Sequence, residues 1–314
     1  METLEVAIVA KGRARPPAWG EFAPEQAHPA NSAEYADFYE TLGQTPVFLE
    51  VRQGNEKLAQ WLVCRRRRRF SPLAALYADC GPQVAPTARD RSDDVLVACV
   101  DRLRRSFHLQ EFVLLKHALL RAVSEPALRR CGFRKVVELH SYVSPVRGDD
   151  EMLAAFHSSH RNDTRKALRE GFRHTHALTA GEYNALAAQM RDTTGYSGTG
   201  PAIVEAIERV LAGPGRAFLS GVFAGDQLLA ASVVLHAGAC GFYVYGASRR
   251  DKARGATTYL HYENMRHLRA LGVLQYDFGG AGLAGDTDPK ALSIAAFKAR
   301  FGGVLVSSFG GSYR

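Results

Sequence analysis

Two segments of this chain read as the same piece of structure: Val51-Arg-Gln-Gly54-Asn-Glu-Lys-Leu58-Ala-Gln-Trp-Leu-Val63 and Val222-Phe-Ala-Gly225-Asp-Gln-Leu-Leu229-Ala-Ala-Ser-Val-Val234, set 171 positions apart. Each is an apolar run, a Gly-Asn or Gly-Asp turn and a second apolar run, the pattern of a β-hairpin. A second pair follows at nearly the same offset: Ala127-Leu-Arg-Arg-Cys-Gly-Phe133 before Val136-Val137, and Ala296-Phe-Lys-Ala-Arg-Phe-Gly302 before Val304-Leu305. Both read as a helix that ends at a glycine and passes into a strand. Units recurring at so long a period predict a duplicated domain, not a solenoid.

The length of 314 residues suits two domains. The expected boundaries are 1–146 and 147–314. A hydrophobic content of 46% supplies two modest cores. No apolar run approaches the roughly 20 residues of a membrane helix. The patch from Val6 to Ala10 follows Glu2 and Glu5 and is too short for a secretory segment, so a cytoplasmic location is expected. The five cysteines form no CxxC or other metal-ligand spacing and are expected to be reduced. The net charge is +8, from 40 basic and 32 acidic residues, and without the run Arg65 to Arg69 it falls to +3. Basicity this local favours a face for polyanions.

Residues 11–35 carry Pro16, Pro17, Pro24 and Pro29 and read as an irregular lead-in. Strands are predicted at 46–51, from 58 onward, and at 74–79. A helix starting at Asp93 and Asp94, a strand at 111–115, a helix at 124–130 and a strand at 135–142 follow. The second half repeats the order, with strands at 216–223, 227–235 and 240–246, a helix at 257–271, a strand at 273–278, a helix at 291–300 and a strand at 304–308. Between the halves, 145–215 reads as mostly helical, with good start and stop signals at Asp163 and Gly171. The predicted class is α/β with mixed sheets. Three strands, helix, strand, helix, strand is the order expected of a GNAT-type acyltransferase domain.

The combination Tyr276-Asp277-Phe278-Gly279-Gly280, then Phe297-Lys298-x-x-Phe301-Gly302-Gly303, with Arg161-x-x-x-Arg165-Lys166-Ala167-x-x-x-Gly171 upstream, resembles the Fem family. Members are tandem GNAT-fold aminoacyltransferases that move an amino acid from aminoacyl-tRNA onto an amine, usually of a peptidoglycan precursor. The resemblance covers nearly the whole chain and matches the shorter members that lack a coiled-coil arm. It implies no cofactor beyond the donor aminoacyl-tRNA, and a peptide or peptidoglycan-precursor acceptor. A departure lies at Lys252-x-x-Gly255-x-Thr257, which approximates the loop that cradles the pyrophosphate of acetyl-CoA; neither Lys252 nor Thr257 fits that pattern properly.

The resemblance implies catalytic roles for Phe297 and Lys298. When an amine attacks an aminoacyl ester, negative charge develops on the carbonyl oxygen and then on the departing ribose oxygen, and a fixed ammonium stabilises that transition state. Without the resemblance, Lys298 reads as a solvated lysine on a helix flank. Arg161, Arg165 and Arg169 stand at i, i+4 and i+8 on one helix face, suited to phosphates or equally to solvent. Arg65, Arg66, Arg67, Arg68 and Arg69 are expected to leave the sheet as a loop or twisted edge and meet tRNA phosphates, because one sheet face would otherwise have to bury arginines. Arg249, Arg250, Lys252 and Arg254 form a further basic cluster before a helix. Tyr243 and Tyr245 alternate with Phe242 and Val244 on the strand expected to line the cleft; all four also suit a core. Tyr196, in a polar loop, is a candidate acceptor contact.

His157, His160, His174 and His176 are accompanied by no HExxH or Cys partner, and no metal is expected. No nucleophile elbow or Cys-His pair stands out, which favours direct attack. Asp277 is a substrate-site candidate, although an aspartate before Gly-Gly also caps backbone amides; the general base stays open. The alternatives are an acyl-CoA-dependent N-acyltransferase and a non-catalytic RNA-binding protein.

Overall fold

The computed structural model describes residues 4–17, 19, 22–23, 27–66, 74–114, 123–195, 199–249, 255–281 and 287–313. Arg67, Arg68, Arg69, Tyr196, Arg250, Lys252 and Arg254 lie outside the described residues. The chain forms two compact units, Met1–His140 with Val306–Arg314, and Ser141–Leu305.

The first unit contains β1 (Glu5–Lys11), α1 (Ala33–Thr41), β2 (Thr45–Gln53), β3 (Glu56–Arg66), β4 (Ala74–Ala78), β5 (Gln83–Val84), α2 (Ser92–Ser106), β6 (Leu109–Leu114), α3 (Glu125–Arg130) and the start of β7 (Lys135–Pro145). The second contains the end of β7, then α4 (Asp149–Ala155), α5 (Ser158–Arg169), β8 (Arg173–Thr175), α6 (Ala180–Thr194), α7 (Pro201–Ile207), β9 (Ala217–Ala224), β10 (Gln227–Ala237), β11 (Cys240–Ser248), α8 (Ala256–Ala270), β12 (Gln275–Ala281) and α9 (Pro289–Ala299). The last strand, β13 (Val304–Tyr313), returns to the first unit.

The repeat reaches into backbone detail. Gly54 at φ 56 and Gly225 at φ 57 open the turns of the β2–β3 and β9–β10 hairpins, while Asn55 and Asp226 keep negative φ. That is the type II′ arrangement, which matches the right-handed strand twist. In one hairpin Val51 pairs with Ala59 and Arg52 with Lys57; in the other Val222 pairs with Ala230 and Phe223 with Leu228. Leu58 and Leu229, matched residues of the repeat, are therefore the extra residues of two equivalent β-bulges, and both are buried. A parallel pair recurs as well, β4 with β6 and β11 with β12.

The first unit's strands run in the order β1-β2-β3-β4-β6-β13, with β5 against β3. Its core holds Trp61, Phe112 and Phe133 with Leu96, Val100 and Leu103 of α2. The sequence places the last residues in the second domain, but the structure assigns residues 306–314 to the first. Phe133 packs edge-on against Tyr313, and Gly311, lacking a side chain, lets β13 approach the Phe133 ring and the Lys135 carbonyl. In the second unit the order is β7-β12-β11-β10-β9-β8, over a core of Phe156, Tyr262, Met265, Tyr276, Phe278 and Phe301.

Several local expectations change. β3 keeps its pairing with β4 through Arg65 and Arg66 instead of leaving the sheet. Their guanidinium groups lie over the Phe107 and Tyr77 rings, so aromatic faces meet the charge. The lead-in passes at its end into α1, capped by Ser32, whose hydroxyl accepts from the Tyr35 amide at 3.1 Å. α5 starts well before Asp163, with His157 Nδ1 accepting from the Ser159 amide as its cap. Among the described residues the longest helices have 15 residues, and none is long and apolar enough to cross a membrane.

Candidate active site

All the described groups of this site belong to the second unit. β11 and β12 pair in parallel over Cys240–Phe242 and Gln275–Asp277 only. Beyond that point β11 follows β10 with a bulge: Val233 faces Tyr245 and Val234 faces Tyr243, leaving Val244 unmatched. The bulge breaks the strict alternation expected of this strand. Phe242 stays fully buried, while Tyr243, Val244 and Tyr245 are half-buried and all three face a cavity of about 430 Å³. Gly246 makes room for this arrangement, because a Cβ there would overlap the Tyr243 hydroxyl.

Two helices close the cavity. α6 presents Tyr183, Ala187, Met190 and Thr194, a stripe of helical spacing, and α9 presents Lys290, Ile294, Phe297 and Lys298. Thr257, Leu260 and His261 of α8 complete the wall.

The two glycine-bearing motifs position Lys298. Phe301 stacks on Phe278 at 4.6 Å and anchors the end of α9 in the core. Gly302, at φ 72, and Gly303 pass so close to the Ala155 carbonyl and to Val143 and Ser144 that neither has space for a Cβ. On the other side, Tyr276 and Phe278 are fully buried, and Gly279 at φ 71 turns under the Tyr243 carbonyl, where a Cβ would approach within 2.9 Å. This turn aims the Gly280 carbonyl at Lys298, whose Nζ donates to it at 2.6 Å. Lys298 is only 8% exposed. Burial pulls its ammonium down to about 8, against an opposing pull from Asp277.

Asp277 is 1% exposed. Its Oδ1 accepts the Gly279 amide at 2.7 Å, the amide-capping role anticipated for an aspartate before Gly-Gly. Oδ2 is buried without a hydrogen-bond partner. Asp277 is not itself part of the cavity wall.

Nothing in the sequence singles out His261. It is 2% exposed and lines the cavity. Its Nδ1 lies 3.1 Å from the Tyr276 hydroxyl, and burial together with the Lys298 charge lowers its pKa to about 3, so it is neutral. Behind it runs a buried polar chain: Asn264 donates to the Ser232 hydroxyl at 2.9 Å and accepts from the Ser220 hydroxyl at 2.7 Å. A histidine inside a helix of mixed polarity gives no sequence signal, because nothing local shows that Lys298 will arrive beside it.

Of the sequence candidates, then, Tyr243, Tyr245, Phe297 and Lys298 share one cavity with Asp277 behind them. Arg161 and Arg165 do not line it. Arg161 donates to the Leu153 and Ala154 carbonyls, closing the end of α4, and Arg165 is exposed. Arg249 donates to Gln189 Oε1 at 2.7 and 3.2 Å. His160 Nε2 lies 3.0 Å from the Phe297 carbonyl and braces α9.

Residues 146–290 match the Acetyltransferase (GNAT) domain family. No curated protein matches the sequence significantly. Among solved structures, the chain is similar to FemX, at 16% identity over 96% of each chain, with a TM-score of 0.74. It is also similar to L-PGS from Bacillus licheniformis, at 11% identity over 83% of this chain and 82% of that one, with a TM-score of 0.52. A tandem GNAT protein from the clavulanic acid biosynthesis pathway gives 13% identity over 99% and 98%, with a TM-score of 0.50. Residues 146–290 thus match the GNAT domain family, and the chain as a whole has a Fem-like tandem GNAT fold.

Proposed function

We propose that the chain transfers an amino acid from aminoacyl-tRNA to an amine of a peptide or cell-wall precursor, forming an amide bond. The observation that carries this reading is Lys298: a buried ammonium held by one backbone carbonyl at the wall of a half-apolar cavity, on the motif that resembles the Fem family. The acceptor nitrogen attacks the ester carbonyl, its bond to carbon forms, and the carbon–oxygen bond to ribose breaks. The nitrogen loses a proton to substrate or water, and the ribose oxygen gains one. Lys298 faces the charge that passes from the carbonyl oxygen to the ribose oxygen, and the low-dielectric setting strengthens that interaction. Phe297 and Tyr243 shape the cavity around the reacting ester, and Tyr245 extends its wall. No cofactor enters this scheme.

An acyl-CoA donor is the second reading, favoured by the GNAT domain match and by Gly255, which starts α8 in the left-handed region at φ 83, with Thr257 on the cavity wall. Incubation of the protein with total charged tRNA and candidate amines separates the readings. Amide products that vanish on ribonuclease treatment support the first. Products that need acyl-CoA and ignore ribonuclease overturn it, and tRNA binding without turnover points to an idle RNA-binding protein.

A further inference from the structure

On the face of α8 turned from the cavity, three histidines and a glutamate gather around the edge strand β8. His174 lies in β8 and His176 just past its end, with their rings 4.9 Å apart. Glu263 and His267, four residues apart, share one side of the helix. His174 Nε2 lies 3.2 Å from Glu263 Oε2, and one ligand atom from each of His174, His176 and Glu263 lies within 4.8 Å of the others. The His176 ring stacks on His267 at 4.1 Å, which fixes its plane, and its Nδ1 is buried with no hydrogen-bond partner.

We propose that His174, His176 and Glu263 form a zinc site that ties the edge strand β8 to α8, a role separate from acyl transfer. Two imidazoles and one carboxylate are a donor set that zinc uses with a fourth position left to water. Bonds of about 2.0–2.1 Å set tetrahedral ligand atoms about 3.3 Å apart; His174 Nε2 and Glu263 Oε2 already stand at 3.2 Å, and His176 has to close in on them. Arg266 does not block the site. It donates to both Glu263 oxygens, at 3.2 Å to Oε1 and 3.0 Å to Oε2, and is also paired with Asp149. Zinc would take Oε2 from His174 and leave Arg266 on Oε1, orienting the carboxylate from behind as outer-shell partners do.

The test uses the full chain, stripped with a chelator and titrated with zinc chloride alone against a chromogenic competitor. One equivalent is expected to bind, and zinc should raise the thermal midpoint by mass action. His176→Ala should weaken binding by at least about 10-fold and shrink the thermal shift accordingly. Glu263→Gln should do the same but perturbs Arg266; His176→Ala, checked for a native circular dichroism spectrum, keeps the outcome interpretable. A folded wild type that binds no zinc, or a folded His176→Ala that binds it equally well, overturns the site.

Discussion

Lys298 is charged in a place that discourages charge, and its carboxylate neighbour is set to offset part of that penalty. Lys298→Met should lower turnover by on the order of 10²–10³-fold, the loss that follows removal of one preorganised donor, and leave tRNA binding by filter assay nearly unchanged. Unaltered turnover would remove the lysine from the chemistry. The pH profile has a definite sign. The folded lysine titrates at about 8, so a cationic role is present below that pH and is lost as pH rises through it. Asp277→Asn keeps an oxygen for the Gly279 amide but removes the charge that favours the ammonium. The alkaline limb of the rate profile should then move to lower pH, by on the order of 1 unit; an alkaline limb that stays put would show that Asp277 acts only as a cap.

At the scale of elements, the site is made by a strand that stops alternating. Gly246→Ala should push the Tyr243 ring toward the cavity, costing about 1–3 kcal/mol as overpacking does and raising KM more than the lost stability explains, as read by urea melts and steady-state kinetics. The hairpins, the order of strands and helices and the two motif helices were legible because turn glycines and period-2 apolar runs are local signals. The bulges at Val244, Leu58 and Leu229 were not, because a bulge is defined by the partner strand. β1 hid its alternation: Ala7 and Val9 on the outward face are as apolar as Val6 and Ile8 on the inward one. The start of α5 is hidden in the sequence because a histidine, not an aspartate, supplies the cap. Lys298 stands out through its motif, whereas His261 and Asn264 matter through neighbours 37 and 44 positions away, Lys298 for one and Ser220 for the other.

For the whole molecule, the two units should respond differently to acid. Burial lowers His261 to about 3 and His236 to about 4, from an ordinary 6.5. The unfolded chain takes up protons that the folded second unit refuses. Stability present above about pH 6.5 is therefore lost as pH falls toward 4, with a slope of about 1.4 kcal/mol per pH unit for a fully buried histidine. Both tryptophans, Trp19 and Trp61, belong to the first unit. Tryptophan fluorescence thus isolates that unit, and amide exchange in β10 reports the other. Between pH 6.5 and 4.5 the exchange protection of β10 should fall before the fluorescence changes; coincident loss would count against the histidines. Truncation after residue 305 should have the opposite bias. It exposes β6, whose residues Phe112 to Leu114 pair with Gly311 to Tyr313, and should shift the fluorescence melt.

That pairing also has a consequence in time. β6 leaves the ribosome about 190 residues before β13, an interval of roughly 10 to 40 s at 5–20 residues per second. Throughout it the nascent first unit presents an unpaired strand edge of the kind that recruits other chains. Fast-folding conditions cannot shorten this wait, since the missing piece has not yet been made. Soluble yield should therefore depend on chaperone capacity and on translation speed across the last two thirds of the message more than on the stability of the finished protein.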